Sequence, residues 1–143
     1  MPVDPYINYA FKVEIQGIQR AGFKEVSGLD STIDVIEYRE GGDNTTTQKK
    51  PGMAKYSNIV LKRGVTGDQD LWKWHKQWIK GDPAAQRLDG FIVLYDRDGT
   101  TEKARWQFVK AWPTKWTGPS FNAEGKEMAI ETLELAHEGV ERA

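Results

Sequence analysis

The chain contains no cysteine. Disulfides, thiol catalysis and thiolate metal sites are therefore excluded. Histidine is almost as scarce, with only His75 and His137 among 143 residues. They lie far apart and form no His-x-x-x-His spacing, whereas a zinc site takes about three or four ligands. Charge of one sign is lacking too. The formal net charge is −1, and the densest basic pair is Lys49 and Lys50. A nucleic-acid-binding domain concentrates a basic excess on one face, so nucleic acid is not expected as the main partner. No apolar run approaches the roughly 18 residues that a membrane span needs. The opening Met-Pro-Val-Asp-Pro-Tyr has no basic stretch leading into an apolar one, so no signal peptide is expected.

Aliphatic residues are also few. Leu, Ile, Val and Phe make up roughly a fifth of the chain, just above the level at which disorder is expected. Near-neutral charge weighs against disorder, because self-repulsion is absent. What is there instead is aromatic. Rings account for 11% of the residues, and six are tryptophans: Trp72, Trp74, Trp78, Trp106, Trp112 and Trp116. Each large ring buries about 150–250 Å². The length fits one domain with a modest core. A thin aliphatic core completed by rings also suits a subunit that finishes its burial against neighbours.

The pattern along the chain is mainly β. Tyr9, Phe11, Val13 and Ile15 alternate with polar residues, as in a strand with one wet face. Residues 31–39 are rich in β-branched and aromatic types, but the alternation is blurred. Ile33 and Val35 point one way, Ile36 and Tyr38 the other. A strand that touches protein on both faces has this look. Residues 40–55, with Gly41, Gly42, Pro51 and Gly52, predict a long loop, and 56–63 a returning strand. One helix is predicted over 68–80. Leu71, Trp74, His75, Trp78 and Ile79 form its packing face. Thr66 or Asp68 is placed to cap its start, and Gly81 and Pro83 to stop it. Residues 90–96 read as a buried strand, followed by a turn at 96–99. Its partner at 101–112 places Ala104, Trp106, Phe108 and Trp112 on one face. Residues 113–119 read as irregular. Residues 125–138 are ambiguous, combining strong helix formers with fragments of alternation.

No constellation carries chemistry. His75 lies on the apolar side of the helix and reads as packed or hydrogen-bonded. Gly-x-Ser-x-Gly is missing, no carboxylate pair stands out for glycoside chemistry, and the glycines at 41–42 and 64–67 give neither a Walker nor a dinucleotide pattern. No enzyme activity, cofactor or metal is expected. Trp112 and Trp116 leave one alternative open, a carbohydrate-binding β-sandwich that stacks sugars on those rings.

An ordered set of fragments then runs through nearly the whole chain. It includes Phe-Lys-Val-Glu-Ile at 11–15, Ala-Gly-Phe-Lys-Glu-Val-Ser-Gly-Leu at 21–29 and Val-Ile-Glu-Tyr-Arg-Glu-Gly-Gly at 35–42. Lys-Pro-Gly at 50–52, Leu-Lys-Arg-Gly at 61–64 and Asp-Leu-Trp-Lys-Trp at 70–74 follow. Ala-Trp-Pro-Thr-Lys-Trp at 111–116 and Glu-Thr-Leu-Glu-Leu-Ala-His-Glu-Gly at 131–139 complete it. Together they resemble the T4-like tail tube proteins of contractile phages and of phage-derived extracellular injection systems. The resemblance implies a single-domain antiparallel β-barrel or sandwich with one helix, related to the type VI secretion tube protein, and it decides for a strand at 125–138. It further implies hexameric rings stacked into an inner tube around a channel for cargo. Its partners would be other copies of itself, a contractile sheath, and baseplate, spike and cap proteins, with assembly in the cytoplasm. Exposed strand edges would serve ring closure.

Two sets of residues become candidates on that basis. Asp34, Glu37, Arg39, Lys62 and Arg63 are candidates for the channel wall, without a decision on which alternate set faces it. The loop residues Gly41, Gly42, Asp43, Asn44, Thr45, Thr46, Thr47, Gln48, Lys49 and Lys50 are candidates for ring stacking.

Overall fold

Period-two burial organises most of the chain, and it is clearest where two central strands meet. Ile59, Leu61 and Arg63 point inward from one, and Glu131, Leu133 and Leu135 from the other. The computed structural model describes residues 10–16, 18–39, 41, 46–125 and 127–143, and of 18–21 the backbone. Its elements are β1 (Phe11–Ile15), β2 (Ile18–Ala21), β3 (Glu25–Ser27), β4 (Ser31–Tyr38), β5 (Gln48–Tyr56) and β6 (Ile59–Gly64). They continue with α1 (Asp70–Ile79), β7 (Leu88–Tyr95), β8 (Glu102–Thr117), β9 (Ile130–Ala136) and β10 (Gly139–Arg142). The fold is mainly β with one helix.

Eight strands form one antiparallel sheet in the order β2-β1-β7-β8-β9-β6-β3, with β10 also on β8. β9 and β10 follow one another along a single edge of β8: Trp112 pairs with Ala136, and Val109 with Gly139. The break between them, at His137 and Glu138, faces a kink in β8. There Lys110 adopts φ 52°, an uncommon left-handed conformation for a side-chain-bearing residue. The Lys110 N–H donates to Asp89 Oδ1 at 2.9 Å, and the Glu138 N–H donates to the Val109 carbonyl at 3.0 Å. These bonds hold the corner.

The kink corrects one expectation. Ala104 and Phe108 point into the core, but the shift at Lys110 brings Ala111 and Pro113 inward in place of Trp112. Phe108 is fully buried and lies over Gly90, where an added Cβ would meet its ring at 2.3 Å. The core joins Val13, Ile15, Ile59, Leu61, Leu133 and Leu135 of the sheet with Leu71 and Trp74 of α1. Burial of each such large side chain contributes about 1.5–3 kcal/mol. After β7, the turn is closed by Asp98, which accepts the Thr101 hydroxyl at 2.6 Å and the Thr100 and Thr101 N–H groups at 2.9 Å. These bonds, led by the Thr101 side chain, hold the Asp98 carboxyl well below the usual carboxylate range.

The helix lies across β8. The N-cap position is Gln69, which makes no side-chain cap bond, so neither Thr66 nor Asp68 caps the helix. From one residue before the cap, Asp68 Oδ1 accepts the Asp70 N–H at 3.0 Å. The helix ends as expected at Gly81, which takes φ 64° and donates its N–H to the Trp78 carbonyl. Leu71 and Trp74 are buried, and Trp78 packs on Trp112 with ring centroids 5.3 Å apart. His75 Nδ1–H donates to the Pro113 carbonyl at 3.0 Å. Ile79 does not belong to the packing face, because it is 62% exposed. Trp72, on the same flank of the helix two turns earlier, takes the packing role instead, its ring centroid 4.9 Å from that of Trp116.

Three further expectations change. Residues 48–55 of the predicted 40–55 loop belong to strand β5, which ends at Tyr56, and the returning strand begins only at Ile59. Residues 113–117 are not irregular but continue β8, with a bulge between Pro113 and Lys115. The strand that the family resemblance implied at 125–138 is shorter, covering 130–136.

Candidate functional site

β4 and β5 stand apart from the eight-stranded sheet. They pair only with each other among the described residues, as a two-stranded antiparallel ribbon. Two-stranded ribbons are marginal in water at best. This one is also open on both faces: Ile33 and Val35 are each 59% exposed, Ile36 53% and Met53 74%. No other region of the described chain exposes so many apolar side chains in succession. The blurred alternation of 31–39 is thereby explained, since neither face is wholly polar.

The register sorts the ribbon's side chains. Ser31 stands opposite Tyr56, Ile33 opposite Ala54, Val35 opposite Pro51 and Glu37 opposite Lys49. Directly opposed residues of an antiparallel pair share a face. The other face holds Thr32 opposite Lys55, Ile36 opposite Lys50 and Tyr38 opposite Gln48. Between Ile33 and Val35 the register shifts, so Gly52 and Met53 together oppose Asp34, as in a β-bulge. Gly52 fits there because a side chain at that position would press on Asp34 and Ile36, at 3.1–3.2 Å.

The root of the ribbon is tied to the sheet corner. The His137 ring donates from Nε2 to the Ser57 carbonyl at 2.8 Å, and its Nδ1 accepts the Gly139 N–H at 3.2 Å. A carbonyl can only accept and an amide N–H only donate, so His137 is the neutral Nε2–H tautomer. Tyr56 packs on its ring at 5.7 Å. Asn58 Nδ2 donates to Glu134 Oε1 at 2.9 Å. On the entering side, Gly28 has φ 93° and lies so close to the Asn58 carbonyl that a Cβ would reach it at 2.0 Å. The ribbon thus leaves a fixed base.

The five channel-wall candidates do not share a face. Asp34 lies on one side of the ribbon, ion-paired to Lys55 at 3.0 Å. Glu37 lies on the other, and Arg39, just beyond the strand, donates to Thr47. Lys62 belongs to the main sheet and pairs with Glu25 at 3.7 Å. Arg63 is no wall residue, because it is 3% exposed inside the subunit. Its guanidinium is bonded to Glu131 and lies 3.6 Å from Asp68, while Trp116 Nε1 donates to the second Glu131 oxygen at 3.2 Å. This network ties β6, β8, β9 and the helix start together. Sequence reasoning missed it, although two opposite charges in phase with apolar sets on adjacent strands were its signal.

The stacking candidates divide likewise. Gln48, Lys49 and Lys50 are strand residues: Gln48 bonds to the Tyr38 hydroxyl, and Lys50 Nζ sits 4.6 Å from the Tyr38 ring centroid. Gly41, Thr46 and Thr47 flank the connection. Gly42, Asp43, Asn44 and Thr45 lie outside the described residues. Trp112 and Trp116 present no sugar-stacking platform. Both rings are half-buried against helix tryptophans, so the carbohydrate alternative loses the surface it rested on.

Comparison with known proteins agrees with this architecture. The profile of the family described as T4-like virus tail tube protein gp19 matches residues 7–141. Among solved structures, the anti-feeding prophage cap, a tube-terminating cap, contains a chain 32% identical to this one. The match has a TM-score of 0.85 and covers 100% of this chain and 94% of that one. A chain in the extended sheath–tube complex of PVC, an extracellular contractile injection system, is 33% identical. There the TM-score is 0.84, with 97% and 91% covered. Hcp1 from Flavobacterium johnsoniae shares the fold at 15% identity and a TM-score of 0.59, with 94% of each chain covered. No curated protein sequence matches the chain. The family consists of structural tail-tube proteins and not of enzymes. On the match over 7–141, together with the two relatives above 30% identity, this chain belongs to the T4-like tail tube protein family.

Proposed function

We propose that the chain is the repeating subunit of the inner tube of a contractile particle. Subunits close into hexameric rings, and rings stack around a channel that holds or conducts cargo. A contractile sheath encloses the tube, a baseplate and spike end it at one side, and a cap at the other. The function is mechanical: contraction drives a rigid tube through the target envelope.

The observation that carries this reading is the β4–β5 ribbon. Among the described residues it has two free edges and apolar residues open to water. Free edges invite pairing with another chain. In a head-to-tail ring each edge meets its neighbour and the rotation closes, so the pairing does not run on into a fibre. A barrel built from many such ribbons leaves an aqueous lumen. Ring-to-ring stacking is assigned to residues 41–50, of which Gly41 and 46–50 are described and lie towards the end of the ribbon away from the His137 root.

Electron microscopy with light scattering tests the proposal. Purified protein should form rings with a central hole, and stacks at high concentration. A strictly monomeric species at every concentration, with no rings, would refute it.

A further inference from the structure

The two faces of the ribbon differ in a way that assigns them opposite environments. We infer that the face carrying Asp34, Tyr38, Lys50 and Lys55 lines the channel. The opposite stripe, Ile33, Val35, Pro51 and Ala54, is then covered by a second copy of this chain. The inference rests on the tube role proposed above and says which side of the ribbon the water occupies.

The first face is already satisfied within one subunit. Asp34 and Lys55 form an ion pair at 3.0 Å. Lys50 sits over the Tyr38 ring, and the Tyr38 hydroxyl bonds to Gln48. Charges so arranged gain little from a neighbour and would lose hydration if a neighbour covered them. Water on this side costs them nothing. Two apolar side chains share this face by register, Ile36 with the Lys50 stem opposite it and Met53 in the bulge opposite Asp34.

The second face has no such arrangement where it leaves the body. Ile33 and Val35 are exposed side by side, opposite Ala54 and Pro51. They offer nothing to water, and their burial is favourable wherever an apolar partner is available. The stripe continues down to Tyr56, which packs against His137 and Gly139 of the same subunit. It therefore begins at the subunit's own packed surface and runs outward from it. Only towards the tip does this face turn polar, with Glu37 opposite Lys49 and the Arg39–Thr47 bond.

The covering partner is a copy of this chain and not an unrelated protein, because the stripe and the free edges belong to one element. A strand of the next copy that satisfies the edge of β4 or β5 brings its own subunit alongside the ribbon. A closed, repeating contact of this kind needs no second component.

The cysteine-free sequence makes the test direct. Single variants Asp34→Cys, Lys50→Cys, Ile33→Cys and Val35→Cys are assembled, and each is checked for rings by electron microscopy. Each is then reacted with a small water-soluble maleimide. The rate in rings is divided by the rate of the same variant unfolded in urea, which removes the effect of neighbouring charges on the thiol. Asp34→Cys and Lys50→Cys should react in rings nearly as fast as when unfolded. Ile33→Cys and Val35→Cys should be slowed at least about tenfold. Using two positions per face guards against one variant that fails to assemble. Rings with the opposite pattern, or with both faces equally open or equally shielded, would overturn the face assignment while leaving the tube role intact. A wild-type chain that forms no rings at all would overturn both.

Discussion

The body of the subunit and its ribbon obey opposite rules. In the body, adjacent strands bury matching apolar sets, and the buried Arg63–Glu131 ion pair has partners on several sides. In the ribbon, both faces and both edges are open among the described residues. Backbone order costs about 1–2 kcal/mol per residue. The body recovers that cost from its own core, whereas a lone ribbon recovers little of it. The difference supports the assembly proposed above, in which a neighbouring copy supplies what the ribbon lacks.

That contrast predicts where substitutions act. The largest effect falls on the buried network of the body. Glu131→Ala leaves the Arg63 guanidinium buried without its main partner and should cost about 3–5 kcal/mol, read as a lower urea midpoint. Pairing it with Arg63→Met should return much of the loss. A single variant as stable as wild type would mean that Arg63 reaches water after all.

Next comes the helix face. Leu71→Ala removes a fully buried side chain and should cost about 2–4 kcal/mol. Ile79→Ala should change stability by less than about 0.5 kcal/mol. Equal effects in thermal melts would contradict the placement of Ile79 outside the core.

His137→Ala acts at the boundary between the two regions. It removes the bond to the Ser57 carbonyl and orphans the Gly139 N–H, at a cost of about 1 kcal/mol. The ribbon should loosen more than the sheet does, seen as faster amide exchange near residues 56–58. Uniform loosening of the whole subunit would mean that His137 is an ordinary core contact.

The smallest effect on stability belongs to the ribbon. Ile33→Ser combined with Val35→Ser should alter the subunit's urea midpoint by less than about 0.5 kcal/mol, yet abolish rings in light scattering. Loss of stability without loss of rings would reverse the roles given to the two regions.

Much of this was legible in the sequence. The helix and the β7–β8 turn followed from periodicity and turn chemistry, whereas the protein contact expected on both faces of 31–39 is absent from the described chain, where both faces are open. The strand at 130–136 was hidden because its inward set begins with Glu131, a charge in a core position. Arg63, likewise inward on β6, and the Trp116 N–H explain it, and the Arg63 pairing spans 68 residues of sequence. β5 was hidden for a different reason. Pro51 and Gly52 read as loop punctuation, but proline is tolerated on an edge strand, and the glycine serves the bulge opposite Asp34. The same bulge conceals the ribbon's face assignment. Simple alternation would put Pro51 and Ala54 on opposite sides, whereas the register opposes them to Val35 and Ile33.

Hydrogen exchange of the β4–β5 amides, compared between the single subunit and the assembled ring, tests the central claim most directly. In the single subunit the ribbon amides should exchange far faster than those of β6 and β9, and in the ring they should become protected while the sheet amides hardly change. A ribbon already as protected as the sheet in the single subunit, or one left equally open in the ring, would contradict the account.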